Sequence, residues 1–142
     1  MTTVQQILDV KGYDIYFVRP DDTVFHALEI MESKDLGAML VKVDNDLVGI
    51  FTERHYARRV FLKGLSSPNT LVREVMEPDV VYVEPEQSAE ACMALMTERR
   101  IRHLPVLRDG RLVGIISIGD LMKSIIADLE FSIDQLVRYV RS

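Results

Sequence analysis

Cysteine occurs once in the 142 residues, at Cys92, so neither a disulfide framework nor a multi-thiolate zinc site can be built within the chain. A lone thiol suits a reducing compartment, and a cytoplasmic location is expected. Histidine is nearly as scarce. His26, His55 and His103 fall on an expected helix, a helix start and a strand, with no ligand-like pair at helical spacing, so a metal centre is not expected. No stretch approaches the ~20 apolar residues of a membrane span. Met1-Thr2-Thr3-Val4-Gln5-Gln6 lacks the basic region and apolar run of a targeting segment, which predicts a soluble, unprocessed chain without membrane contact. Basic residues are outnumbered, 17 against 22 acidic ones, and the formal net charge of -5 argues against generic nucleic-acid binding.

What the chain does have is itself, twice. Pro20 and Pro85, Met31 and Met96, Val41 and Val106, and Asp44 and Asp109 are each 65 positions apart, and Leu47-Val48-Gly49-Ile50 falls on Leu112-Val113-Gly114-Ile115 at the same offset. A repeat of this length points to two copies of one supersecondary unit related by a pseudo-twofold axis, with function sought between them. The 48% hydrophobic residues suffice to fill a core for one domain of two halves.

Each copy has the same order of elements. In the first, Asp14–Val18 is a strand candidate closed by the turn Arg19-Pro20-Asp21-Asp22. Thr23 is the expected N-cap of a helix that ends near Leu36-Gly37 and buries Val24, Ala27, Leu28 and Met31. Runs 38–43 and 47–51 flank Asp44-Asn45-Asp46 as a hairpin. A second helix spans about Thr52 to Leu62, and residues 63–69 link the copies. The second copy repeats this with strand Val80–Val83, helix Ser88–Arg99, strands His103–Leu107 and Leu112–Ile116, and a last helix.

The expected fold class is therefore α+β, two β-α-β-β-α units, with boundaries at 1–65 and 66–142. Short amphipathic pieces ahead of each unit, Val4–Val10 and Leu71–Met76, are expected to pack on the opposite copy. The last helix runs from Ser117 nearly to the end of the chain, and its stripe from Leu121 to Val140 exceeds what one small sheet can bury.

Each copy closes its last strand in a glycine-led phrase, Gly49-Ile50-Phe51-Thr52-Glu53-Arg54-His55 and Gly114-Ile115-Ile116-Ser117-Ile118-Gly119-Asp120. In the second, Gly114 allows a ligand or neighbouring backbone close to the strand, Ser117 stands at a helix N-cap, and Asp120 lies one turn further on the same face. Unpaired N–H groups at a helix start favour an anion such as phosphate, and a carboxylate beside them can accept from the two vicinal hydroxyls of a ribose. Ser-x-x-Asp is equally a capping pattern, worth about 1 kcal/mol to the helix with no ligand.

These residues carry a family resemblance. The duplicated unit, the Gly-x-x-[Ser/Thr]-x-x-Asp phrase and the strand Arg102-His103-Leu104-Pro105-Val106 resemble a tandem pair of cystathionine β-synthase (CBS) domains, a Bateman module, over about residues 4 to 128. In particular the chain resembles stand-alone bacterial CBS-pair proteins of signal transduction. The resemblance implies an adenosine-containing effector, AMP, ADP, ATP or NAD(H), held between the copies. It implies that Asp120 takes the ribose, that Ser117, Arg102 and His103, with Pro105 in the same strand, lie on the phosphate side, and that Asp14, Ile15 and Tyr16 hold adenine.

At the other site the pattern departs: His55 stands for the aspartate, and Gly37 and Ala38 for Arg102 and His103. Imidazole cannot accept from two hydroxyls as a carboxylate does, so a weaker second site is implied, with His55 at the ribose position, Thr52, Arg54 and Arg58 toward phosphate, and Met76, Val80 and Val81 as its adenine wall. Cys92 is expected to be a core residue and not a nucleophile. The resemblance implies a non-enzymatic sensor, with a structural or interaction module of vestigial clefts as the alternative. It also implies a homodimer through the helices ending each copy, around Val60, Phe61, Leu121, Ile125 and Ile126, and a regulated partner that the sequence does not identify.

Overall fold

The 65-residue offset reappears in the backbone. The computed structural model, which describes residues 1–141, has non-glycine residues in the left-handed region at Asp35 and Asp44 (φ 54° and 53°) and again at Arg100 and Asp109 (φ 56° and 52°). Asp35 and Arg100 end the first helix of each copy, and Asp44 and Asp109 turn each hairpin. Both hairpins slip register at the same place, between Val41 and Lys42 and between Val106 and Leu107.

The chain forms two compact units, Ile15–Val81, and Met1–Asp14 together with the chain from Tyr82 onward. The repeats read along the sequence are thus interleaved, because each unit is closed by the lead segment that precedes the other repeat. Within Ile15–Val81, β1 (Phe17–Val18) pairs parallel with β2 (Ala38–Val43), which pairs antiparallel with β3 (Asp46–Thr52). Thr23 caps α2 (Val24–Lys34) by accepting the His26 N–H, and α2 buries Val24, Ala27 and Met31 against Met39, Val41 and Phe51. After β3 comes a single turn, α3 (Glu53–His55), and then a π-helical stretch, Tyr56–Phe61, that buries Val60. The lead segment α4 (Val72–Val75) closes this unit, with Val24 N–H donating to Thr70 and Val72 N–H to Asp22.

In the other unit, α1 (Val4–Lys11) is the lead segment. It buries Val4, Ile7 and Leu8, and its start is tied down by Val4 N–H to Gln87 and Ala89 N–H to Thr2. Ser88 caps α5 (Ala89–Arg99). β4 (His103–Arg108) and β5 (Arg111–Ser117) form the hairpin, turned by Asp109 and Gly110, both at positive φ as an Asp-Gly turn requires. α6 (Ile118–Arg141) follows.

Three expectations about length are corrected. The strand expected over Asp14–Val18 is reduced to Phe17–Val18. The strand expected over Val80–Val83 is a single parallel bridge from Val83 to Val106, because Val80 N–H turns back onto the Pro78 carbonyl and Pro85 follows at once. The helix expected from Thr52 to Leu62 departs from α geometry after one turn, and its bonds widen to Leu62–Ala57 and Leu65–Val60.

The glycines of the two phrases serve the lead segments. A Cβ on Gly114 would lie 2.7 Å from Leu8 Cδ2, and one on Gly49 would lie 2.5 Å from Met76 Sδ and 3.2 Å from the Glu77 carbonyl oxygen. The neighbour for which Gly114 leaves room is thus a side chain of α1. Gly49→Ala should cost about 1–3 kcal/mol, since the Glu77 oxygen belongs to a backbone pair with Ile50 and cannot retreat. Gly114→Ala should cost less, because only the flexible ends of Leu8 have to move. Urea unfolding of the two variants checks the order, and an unaltered Gly49→Ala midpoint contradicts it.

α6 outruns its unit. Only Leu121 is buried, while Met122, Ile126, Leu129, Ile133, Leu136 and Val140 follow one another at alternating four- and three-residue steps and are all exposed, Ile133 at 60% and Leu136 at 65%. Among the described residues no helix is long and apolar enough to cross a membrane.

Candidate functional site

β5 delivers its last residue, Ser117, to the start of α6, and the two ends of this phrase clasp each other. Asp120 N–H donates to Ser117 Oγ at 3.2 Å, and Ser117 N–H donates to Asp120 Oδ2 at 2.8 Å. This is a reciprocal capping box, so the capping role read from Ser-x-x-Asp is realised. It also fixes the carboxylate at the helix start, with Oδ1 free of protein hydrogen bonds among the described residues. The Ile118 N–H is taken by the Arg102 carbonyl.

A further group, absent from the sequence reading, completes the site. Lys11, the last residue of α1, places Nζ 2.7 Å from Asp120 Oδ2 and 2.6 Å from the Ile115 carbonyl oxygen. Burial works to raise the Asp120 pKa, but the Lys11 ammonium and the Ser117 N–H outweigh it and hold the carboxyl below its ordinary value. His103, at the start of β4, is driven toward its neutral form by burial and by the charge of Lys11, with Asp120 opposing.

The remaining residues expected around Asp120 are placed as follows. Arg102 is exposed, and Pro105 is buried in β4, its carbonyl accepting the Val83 N–H. Asp14 is exposed and belongs to the same unit as Asp120, whereas Ile15 and Tyr16 belong to the other, where Lys34 Nζ lies 5.3 Å from the Tyr16 ring centroid.

The first phrase has the same construction with different chemistry. Thr52 N–H donates to His55 Nδ1 at 3.1 Å, and His55 N–H donates to Thr52 Oγ1 at 3.2 Å. His55 therefore does for α3 what Asp120 does for α6, since any side-chain acceptor at that position closes the box. Arg54 and Arg58 are exposed, and the arginine that grips the lead segment is Arg59, which donates to the carbonyls of Val75 and Met76 and pairs with Glu77 at 3.1 Å. Met76, packed against Gly49, Val80 and Val81 are partly buried. Each unit thus ties its lead segment to its terminal helix by an ion pair, of opposite polarity in the two: Lys11 to Asp120, and Glu77 to Arg59.

His55 is held toward its neutral form by burial and by the charge of Arg59, with Glu77 opposing and Arg54 adding. Both histidines with a depressed folded pKa, His55 and His103, favour folding while neutral. Their contribution is present above the unfolded value of about 6.5 and is lost as pH falls through the folded values. The urea midpoint should therefore decline from pH 7.5 to pH 5, with His55→Asn shallower than wild type. A midpoint independent of pH over that window contradicts this.

Cys92 is buried, and burial pushes its thiol up to about 11, which suits a core residue and no nucleophile. Among the described residues no group of three or more His, Cys, Asp or Glu side chains is arranged to hold a metal ion. Val60 and Leu121, expected on a dimer surface, are buried within their own units and unavailable to a partner, while Phe61 and Ile126 are exposed.

Comparison with known proteins gives a consistent result. The CBS domain family profile matches twice, at residues 7–61 and 72–127. The solved structure of a protein from Burkholderia ambifaria MC40-6, described as a signal-transduction protein with CBS domains, is 55% identical, covers 89% of this chain and 96% of its own, and superposes with a TM-score of 0.86. The mitochondrial CBS domain-containing protein CBSX3 of Arabidopsis thaliana is 33% identical over 99% of this chain and 72% of its own length. A hexameric CBS-CP12 protein from bloom-forming cyanobacteria is 29% identical, covering 85% of this chain and 66% of that one, with a TM-score of 0.77.

Proposed function

The chain belongs to the CBS-domain family and carries the domain twice as a regulatory pair, and from that premise we propose that it is a non-enzymatic sensor of an adenosine-containing nucleotide, AMP, ADP, ATP or NAD(H). The observation that carries this reading is the Asp120 carboxylate. It is ionised, partly buried, clamped through Oδ2 at the start of a long helix, and open at Oδ1, which suits it to accept from sugar hydroxyls. Ser117 and the start of α6 lie beside it on the side where phosphate would be favoured.

The first phrase lacks that carboxylate, and its His55 Nδ1 is already engaged by Thr52 N–H, so the site built on Thr52, Arg54, His55 and Arg58 is the weaker one. The sensor signals through assembly. α6 presents an apolar stripe suited to a second copy, and the related CBS-CP12 protein is hexameric. Mass spectrometry of small molecules released on denaturing the purified protein tests this reading. An adenine nucleotide is the expected product. If none is released and none raises the melting temperature, the protein is instead an interaction module with vestigial sites.

A further inference from the structure

Asp120 Oδ1 is open to one sugar hydroxyl, but a vicinal diol taken across both carboxylate oxygens also needs Oδ2, and Lys11 occupies it. Asp120 Oδ2 already receives the Ser117 N–H at 2.8 Å and Lys11 Nζ at 2.7 Å, which fills its two lone pairs. The same ammonium takes the Ile115 carbonyl at 2.6 Å, so one cation satisfies two acceptors at the strand end. The other unit shows that this arrangement is specific to Lys11. There Pro78 stops the lead helix at Val75, the chain runs on extended, and the backbone of Glu77 pairs with Ile50, the counterpart of Ile115 at the 65-residue offset. With no proline at the corresponding point, α1 continues to Lys11, and a side chain rather than a backbone strand meets the edge carbonyl.

A backbone pair can leave only with its strand. A lysine on four rotatable carbons can swing out alone, and its side chain is already 32% exposed against 19% for Asp120.

We propose that Lys11 is a tethered competitor of the ligand. Its ammonium holds Asp120 Oδ2 and the Ile115 carbonyl until a vicinal diol displaces it, so that occupancy of the site is felt at the end of α1, where Gly12 at φ 107° begins the next segment. This rests on the nucleotide reading above and adds to it a residue that sets affinity and transmits occupancy. Displacement sets a ligand's contacts against an ion pair of modest strength, so removing the ammonium tightens binding by about two- to fivefold.

The test is calorimetry of the full chain with AMP, ATP and NAD⁺ in turn, on wild type, Lys11→Met and Lys11→Arg, at about 50 mM and about 500 mM salt. Met keeps the aliphatic stem, the Ser117–Asp120 box and the Leu8–Gly114 packing. The expected result is tighter binding by Lys11→Met, near wild-type binding by Lys11→Arg, and a smaller gap between wild type and Lys11→Met at high salt. Binding by Lys11→Met alone would also support the proposal. Equal or weaker binding by Lys11→Met, with wild type binding, overturns the competitor and leaves the nucleotide reading standing. Failure of every variant to bind any of the three overturns both.

Discussion

Asp120→Ala should lower affinity for the adenosine ligand by about 1.5–3 kcal/mol, roughly tenfold to a hundredfold, the scale of losing a charged hydrogen-bond partner. The carboxylate has two tasks, closing the box on the Ser117 N–H and presenting Oδ1 outward, and alanine removes both. Asp120→Asn separates them, since a side-chain oxygen can still cap α6 while the charge and the second acceptor are gone. It should restore stability relative to alanine without restoring affinity. His55→Asp is the complementary change: a carboxylate can accept the Thr52 N–H as imidazole does and leave an oxygen for a hydroxyl, so binding at the weaker site should strengthen. Calorimetry on folded variants decides the matter. Equal affinities for wild type and Asp120→Ala contradict the assignment, and an inert His55→Asp contradicts the asymmetry.

A chain ending at Asp128 should lose its self-association. From Met122 the exposed apolar residues of α6 alternate steps of four and three, placing Ile126, Ile133 and Val140 in one row and Met122, Leu129 and Leu136 in the other. β-Branched residues in the first row and mainly leucine in the second are the arrangement that favours a parallel two-stranded coiled coil, and this pairing would cover the stripe that the unit's own sheet leaves open. Burial of a full leucine or isoleucine side chain contributes about 1.5–3 kcal/mol, so removing the rows beyond Asp128 should weaken the dimer by about a hundredfold or more. Light scattering with chromatography compares the two chains. A full-length monomer at micromolar concentration rejects the dimer, and an unchanged dimer after truncation rejects the role of the tail. The cut spares the first turns of α6 and the Asp128 carboxylate that accepts from Thr2 Oγ1, so both chains should fold.

The features legible in the sequence were those written in local spacing. The caps at Thr23 and Ser117, the two hairpins and the overlong apolar face of the last helix each depend on residues within a few positions of one another, and the structure has them where the pattern placed them, while the duplication was legible as a fixed 65-residue offset. The strand lengths were less legible, because Val80 and Val81 satisfy a β pattern and are kept off the ladder by the prolines on either side. The ion pairs were not legible at all. Lys11 and Asp120 are 109 positions apart, and nothing near either one marks its partner. The interleaving of the lead segments brings them together. His55 illustrates the converse. As a departure from the aspartate pattern it signals a weakened site, yet the fold gives it a full structural role as a capping acceptor.

The most direct measurement is calorimetric titration of the full-length chain with AMP, ADP, ATP and NAD(H) in turn, at a pH where Asp120 is ionised and His103 neutral. The account predicts saturable binding of at least one of them, dominated by a single class of site that Asp120→Ala abolishes or weakens at least tenfold. No binding heat with any of these nucleotides, from protein shown to be folded, would contradict it.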